Sequence, residues 1–293
     1  MRLSEQCVLL VAMLDSNPQK LIDSVRDIVC EAGREIMIVY ADLDPGTVPV
    51  EAKSDGSPVT RADHRAHRVI VQRLRELTPD TPILSEESAQ APYAERRRWE
   101  AFWLVDPLDG TKEFINRNGE FTVNVALVRD GRPVLGVVGV PAKDTAYWGC
   151  GGEAFREAGG GKPRRIHVSH YGSGVPSVVA SRSHAGGTTG EFIERVRQAL
   201  GDCELKSMGS ALKICLVAEG EADVYPRLGL TSEWDIAAAH CVLDAAGGRM
   251  TDARGGPIQY NKENILNPWF VAMGKSDFDW IGITRDLAEK HEA

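Results

Sequence analysis

The sequence predicts a mixed α/β protein built from stacked layers, and three observations predict it. Amphipathic helical stretches and short apolar, strand-like runs alternate along the whole chain. Glycine and proline clusters separate them, as connections between packed elements require. The 293 residues, 43% apolar and 26% charged, suffice for one large globular domain or two of ordinary size.

In chain order, residues 21–39 carry Leu21, Val25, Ile28, Ala32 and Ile36 on one helical face. Pro45, Gly46 and Pro49 make 42–55 a loop or irregular hairpin. A second helix over 62–77 turns Ala66, Val69, Ile70, Leu74 and Leu77 inward, leaving Arg65, Arg68, Arg73 and Arg75 as a solvated face. Residues 83–85 form a short strand ending at Glu86-Glu87, and 90–100 read as an exposed loop. The run Phe102-Trp103-Leu104-Val105 predicts a buried strand that stops at Asp106, and 121–128, 133–140 and 145–150 predict three more. Residues 149–165, rich in glycine, read as a turn plus linker and set a boundary between an N-terminal subdomain, 1–160, and a C-terminal one, 161–293.

In the second half, strands are expected at 177–181, 205–208, 222–225 and 249–251, with helices at 191–200 and 210–218. Glu233-Trp234-Asp235 opens an alanine-rich helix that Gly247-Gly248 ends.

A net charge of −8 with no Lys/Arg run argues against nucleic acid as a partner. It also argues against a basic membrane-binding patch. Six scattered cysteines without a C-x-x-C pair fit a reducing cytoplasm, with peripheral contact at the inner membrane left open. No apolar stretch approaches the roughly 20 residues of a membrane span. The apolar run 7–14 lacks a small-residue cleavage site and follows Glu5, so no export signal is expected, and Met13 is an alternative start.

The chemistry concentrates in Asp106-Pro107-Leu108-Asp109-Gly110-Thr111, two carboxylates in one turn after a buried strand. Taken alone, Asp106 could be an Asx-turn residue, Asp63 the partner of Thr60 in a capping box, and Asp235 a charge favoured by its helix's first turn. The aspartyl-nucleophile motif D-x-D-G-T of haloacid-dehalogenase phosphatases needs an aspartate where Pro107 stands. Yet Asp63, Glu86, Asp106, Asp109 and Asp235 all lie at strand ends or helix starts. If they converge, they require a counter-charge, and oxygen-only ligands point to Mg²⁺. No Cys/His spacing suits zinc.

Together these residues resemble the lithium-sensitive, Mg²⁺-dependent phosphatases related to inositol monophosphatase, and within them the bacterial 3'(2'),5'-bisphosphate nucleotidases of the CysQ type. The matching segments are Ser57-Pro58-Val59-Thr60 with Asp63, Leu84-Ser85-Glu86-Glu87, 103–125, Ser181-Arg182-Ser183-His184, 209–227 and Trp234-Asp235. They run in order from about 13 to about 270. The resemblance implies a layered α/β/α/β/α sandwich. It implies two or three Mg²⁺ ions held by Glu86, Asp106, the Leu108 carbonyl, Asp109 and Asp235. Asp63, Glu86 and Thr111 would be catalytic, with Asp63 and Thr111 at the attacking water. Gly110 and Thr111 would bind the scissile phosphate, while His184, Ser210, Lys213 and Arg227 would hold the rest of a nucleotide bisphosphate. The implied reaction is hydrolysis of adenosine 3',5'-bisphosphate to AMP and phosphate, with the sulfated nucleotide as a second substrate. The alternatives are another small phosphomonoester, such as an inositol phosphate, and a nucleotide sensor without turnover. Oligomeric state is left open.

Overall fold

Apolar periodicity sets the first layer. In a computed structural model, which describes residues 17–42, 51–52, 58–180 and 187–292, helix α1 (Pro18–Ala41) begins at Asn17. The Asn17 side chain accepts from the Lys20 N–H at 3.1 Å, and Pro18 occupies the first helical turn, where a missing N–H costs nothing. After a short antiparallel pair, β1 (Glu51–Ala52) with β2 (Pro58–Val59), comes α2 (Arg61–Leu77). Both helices bury their apolar stripes on one face of a sheet, Leu21, Val25, Ile70 and Leu74 meeting Trp103, Val105 and Val125. The arginine face expected to be solvated is partly a seam between the helices: Arg65 Nε donates to Glu35 at 2.7 Å, and Arg73 pairs with Glu31. The run 7–14, most of the 42–55 loop and the 181–186 segment lie outside the described residues.

That sheet has seven strands side by side in chain order: β3 (Ile83–Ser85), β4 (Ala101–Asp109), β5 (Thr122–Arg129), β6 (Arg132–Val140), β7 (Thr145–Cys150), β8 (Glu153–Ala158) and β9 (Arg164–Arg165). β3 runs parallel to β4, and every later pairing is antiparallel. Three sequence expectations need correction. Residues 149–165 are not a linker, because β8 and β9 extend the sheet. β4 does not stop at Asp106 but continues to Asp109 through an irregularity in its register with β5. Residues 90–100 contain a short helix, α3 (Tyr93–Arg96), whose Arg96 is buried and donates to Asn261 Oδ1 and to the Ala91, Lys262 and Glu263 carbonyls.

A turn of helix, α4 (Thr111–Ile115), follows β4. In the second half β10 (His170–Tyr171) precedes β11 (Ser177–Ala180), α5 (Gly187–Leu200), β12 (Glu204–Ser207) and α6 (Leu212–Ala218). Then come β13 (Val224–Arg227), α7 (Glu233–Ala245), β14 (Arg249–Asp252), β15 (Phe270–Met273), β16 (Lys275–Ser276) and α8 (Trp280–Glu292). The second sheet has the order β12-β11-β13-β15-β14, parallel on the β12 side and antiparallel beyond β13.

Helices α6 and α7 fill the space between the sheets, where Ile214, Val217, Ala238 and Val242 meet Leu104, Ala126 and Val138 on one side and Tyr225, Phe270 and Ala272 on the other. Helices α5 and α8 cover the outer face of the second sheet through Phe192, Val196, Trp280 and Leu287. The result is five layers, α/β/α/β/α. Two glycines seat the middle helix. A Cβ on Gly136 would stand 2.3 Å from the Ala238 carbonyl oxygen, and one on Gly149 2.8 Å from Val242 Cα. Among the described residues no helix is long and apolar enough to cross a membrane.

Candidate active site

Strand alternation explains why acids gather at one end of the first sheet. Along β4 and β5 one face carries Trp103, Val105, Val123 and Val125 toward α1 and α2. The opposite face carries Phe102 and Leu104, Ala126 and Val128 toward α7. Extending that second face puts Asp106 two residues beyond Leu104, and Asn124 and Thr122 before Ala126. Leu84 pairs with Leu104, and the Glu86 N–H bonds the Val105 carbonyl at 3.1 Å, so Glu86 comes up beside Asp106 on the same face. α7 then brings Asp235 down from above.

Asp63, Asp106 and Asp235 each spend one oxygen on local structure, and Asp109 spends one on more distant partners. Asp106 Oδ1 accepts the Leu108 N–H at 3.1 Å, the Asx turn read from sequence. Asp109 Oδ2 accepts the Ala211 N–H at 2.6 Å and the Thr122 hydroxyl at 3.4 Å. Asp235 Oδ2 accepts the Ser232 N–H at 2.8 Å in a capping box. Asp63 Oδ2 does the same for Thr60, at 2.8 Å to the N–H and 2.7 Å to the hydroxyl. Its other oxygen, Oδ1, faces the Thr111 hydroxyl at 3.5 Å. The capping and turn bonds of Asp63, Asp106 and Asp235 therefore occupy one oxygen of each and do not exclude a second role for the other.

Electrostatics sets this cluster apart. Burial, reinforced by the Glu86, Asp109 and Asp235 charges and a hydrogen bond with Glu86, pushes the Asp106 carboxyl well above the usual range. Burial also raises Asp235 to about 8, with Asp109 the next cause. It raises Asp109 to about 6 against the lowering effect of Lys213. Among the described residues no three acid, histidine or cysteine side chains stand as a ready-made ligand set. The fit to a metal lies in the donor chemistry: oxygen-only groups that raise one another when ionised match a hard divalent cation.

A cleft of about 200 Å³ opens beside Asp109 and Asp235. Gly110 (φ +90°), Ser210, Lys213 and Arg227 line it, so four of the five sequence-predicted substrate residues within the described part come together; Thr111 is not among the lining residues. Lys213 is buried, its ammonium 5.6 Å from the Tyr225 ring, and burial lowers its pKa to about 8 although Asp109 opposes the shift. Arg227 Nη2 donates to the Leu230 carbonyl at 2.8 Å, while Arg227 Nε and Ser210 Oγ are buried without a partner. Ser210 holds a left-handed φ of +48°. Predicted His184 lies outside the described residues.

Sequence reasoning gave no site role to Lys112, Glu113, Tyr225, Thr231 or Phe270, which also line the cleft. It missed Thr122 and Asn124 as well. Their signal was present: two polar residues at strand spacing interrupt the apolar run 121–128. Glu233, fully buried and paired with Lys262 Nζ at 2.6 Å, ties the first turn of α7 to the loop beneath it and so fixes Asp235.

Comparison with known proteins places the fold. The inositol monophosphatase family model matches residues 18–275. The chain is 47% identical to the 3'(2'),5'-bisphosphate nucleotidase CysQ of Escherichia coli over 85% of its own length and 98% of that protein's. The crystal structure of CysQ from Bacteroides thetaiotaomicron superposes with a TM-score of 0.77 at 43% identity, covering 88% of this chain and 98% of that one. An inositol monophosphatase from Thermotoga maritima superposes with a TM-score of 0.75 at 26% identity, covering 93% and 99%. The chain belongs to the inositol monophosphatase family, whose members depend on metal ions, generally Mg²⁺.

Proposed function

We propose that the chain is a Mg²⁺-dependent 3'(2'),5'-bisphosphate nucleotidase that hydrolyses the 3'-phosphate of adenosine 3',5'-bisphosphate to give AMP and phosphate. The observation that carries the reading is the contact of two opposite charge sets in one place. Mutually raised carboxylates at the sheet ends abut a cleft holding buried Lys213 and the unspent polar atoms of Arg227 and Ser210. The 47% identity to an enzyme of that name supports the substrate class.

In this reading Glu86, Asp106, the Leu108 carbonyl, Asp109 and Asp235 would hold two or three Mg²⁺ ions. When bound, these supply a water of lowered pKa and positive charge for the phosphoryl and leaving oxygens. Asp63 and Thr111 orient that water through their mutual contact, and Asp63 takes up its proton. Gly110 and Thr111 offer backbone N–H groups to the scissile phosphate. Water oxygen bonds to phosphorus, the bond to the ribose 3'-oxygen breaks, and that oxygen leaves as the 3'-hydroxyl with a proton from solvent, while Asp63 returns the proton it took to solvent. Lys213, Arg227 and Ser210, with His184, hold the remaining phosphate and sugar, a task for cations in a protein of net charge −8. The 3'-phosphate of the sulfated nucleotide is presented in the same way.

Phosphate release with Mg²⁺ tests the reading, adenosine 3',5'-bisphosphate against inositol 1-phosphate at equal low concentration. The nucleotide should be strongly preferred. Preference for the inositol ester would keep the carboxylate centre and discard the substrate, and nucleotide binding without turnover would favour a sensor.

A further inference from the structure

Asn124 is 1% exposed, and neither its Nδ2 nor its Oδ1 has a hydrogen-bond partner. Such a group is costly to bury, and an apolar residue of similar size would avoid the cost. Strand register places it. Asn124 stands directly across from Asp106 on β4 and from Val138 on β6, with Ala126 and Thr122 beside it on the same face and α7 above. Val138 and Ala126 have no side-chain polar group. Thr122 already gives its hydroxyl to Asp109. Among the residues the register sets around the amide, Asp106 is the one that faces it directly with an acceptor side chain.

We propose that Asn124 is a positioning residue of the carboxylate centre: its amide N–H, unpaired in the metal-free protein, donates to the Asp106 carboxylate when the divalent cation is bound, directly or through one enclosed water, and holds that group oriented for the cation. The inference rests on the metal-centre reading above. Asp106 has Oδ1 fixed by the Leu108 N–H and shares a hydrogen bond with Glu86, and a donor from the facing strand adds a further hold on the carboxylate. Partners of this kind behind a metal ligand fix its orientation, and their removal costs roughly 10- to 100-fold in metal affinity.

Two variants of nearly the same shape separate this role from packing, Asn124→Val and Asn124→Thr, which differ by a hydroxyl donor. The readouts are Mg²⁺ affinity by calorimetry and the melting temperature of the metal-free protein. Asn124→Val should bind Mg²⁺ roughly 10- to 100-fold more weakly. It should melt no lower than wild type without metal, because an orphaned polar group has been replaced by an apolar one. Asn124→Thr should recover most of the affinity. Wild-type affinity in both variants, or equal weakening in both, would overturn the proposal while leaving the metal reading intact. A wild-type protein that binds no Mg²⁺ would overturn the metal reading, and this role with it.

Discussion

Replacing Gly136 by alanine should lift α7 off the first sheet and damage a site the substituted residue never touches. The new Cβ would lie 2.3 Å from the Ala238 carbonyl oxygen and 2.9 Å from Cys241 Cβ, and both belong to the helix. Restoring ordinary contact requires a displacement of roughly 1 Å of two tightly packed layers, which costs about 1–3 kcal/mol. The reduced freedom of the unfolded chain returns about 0.4–1 kcal/mol, so the net loss is on the order of 1–2 kcal/mol. Asp235 sits one turn before Ala238 and moves with the helix, and a misplacement of roughly 1 Å is enough to cost about 100-fold in rate. Urea unfolding and Mg²⁺-dependent turnover read the two effects separately. Gly151→Ala is the control: its φ of +59° strains an alanine, but nothing lies within 4 Å, so it should lose stability and keep turnover. Wild-type stability together with wild-type turnover in Gly136→Ala would refute the seating of α7 on that glycine.

Two further predictions follow from the charges. In the metal-free protein Asp109 and Asp235 are held at about 6 and about 8, above the usual 3.8, so the folded state keeps protons that the unfolded chain has released. The sign is therefore negative: their contribution to stability is fully present below about pH 4 and is lost as pH rises through about 6 and then about 8. The Asp109 shift alone is worth about 3 kcal/mol at roughly 1.4 kcal/mol per unit. Urea unfolding in chelator at pH 5, 7 and 8.5 should show that fall and saturating Mg²⁺ should flatten it, whereas stability rising across the window would contradict the cluster. Lys213→Met should raise KM for the nucleotide roughly 10- to 100-fold, the worth of a charge-assisted bond. It should also move the acid limb of activity to higher pH, because Lys213 lowers the Asp109 pKa. An unchanged KM would remove Lys213 from recognition.

How much of this the sequence carried depended on whether the cause was local. Asp106, Asp109 and Gly110 were legible because acids and glycine directly after an apolar run are odd within a six-residue window. The capping box of Asp63 was likewise a local spacing, whereas Asp235 was read only as a first-turn charge and its box with Ser232 was not noticed. The meeting of Glu86 with Asp106 was carried by the family resemblance and not by local spacing, since it depends on the parallel register of β3 with β4. β8 was missed because its half-exposed residues and flanking glycines look like a connection, although pairing with β7 and the burial of Ala154 and stacking of Phe155 hold it in the sheet. Arg96 was read as exposed because burial of a guanidinium depends on acceptors 165 to 167 residues away. The continuation of β4 to Asp109 rests on an irregularity that Pro107 hinted at without fixing its register.

The measurement that bears most directly on the carboxylate centre is phosphate release from adenosine 3',5'-bisphosphate by wild type and Asp109→Asn, each with Mg²⁺ and with chelator. The account predicts release by wild type only with Mg²⁺ and loss of at least about 100-fold in Asp109→Asn, a variant that should fold normally because the amide oxygen can still accept the Ala211 N–H. Release that persists in chelator, or undiminished in Asp109→Asn, would contradict it.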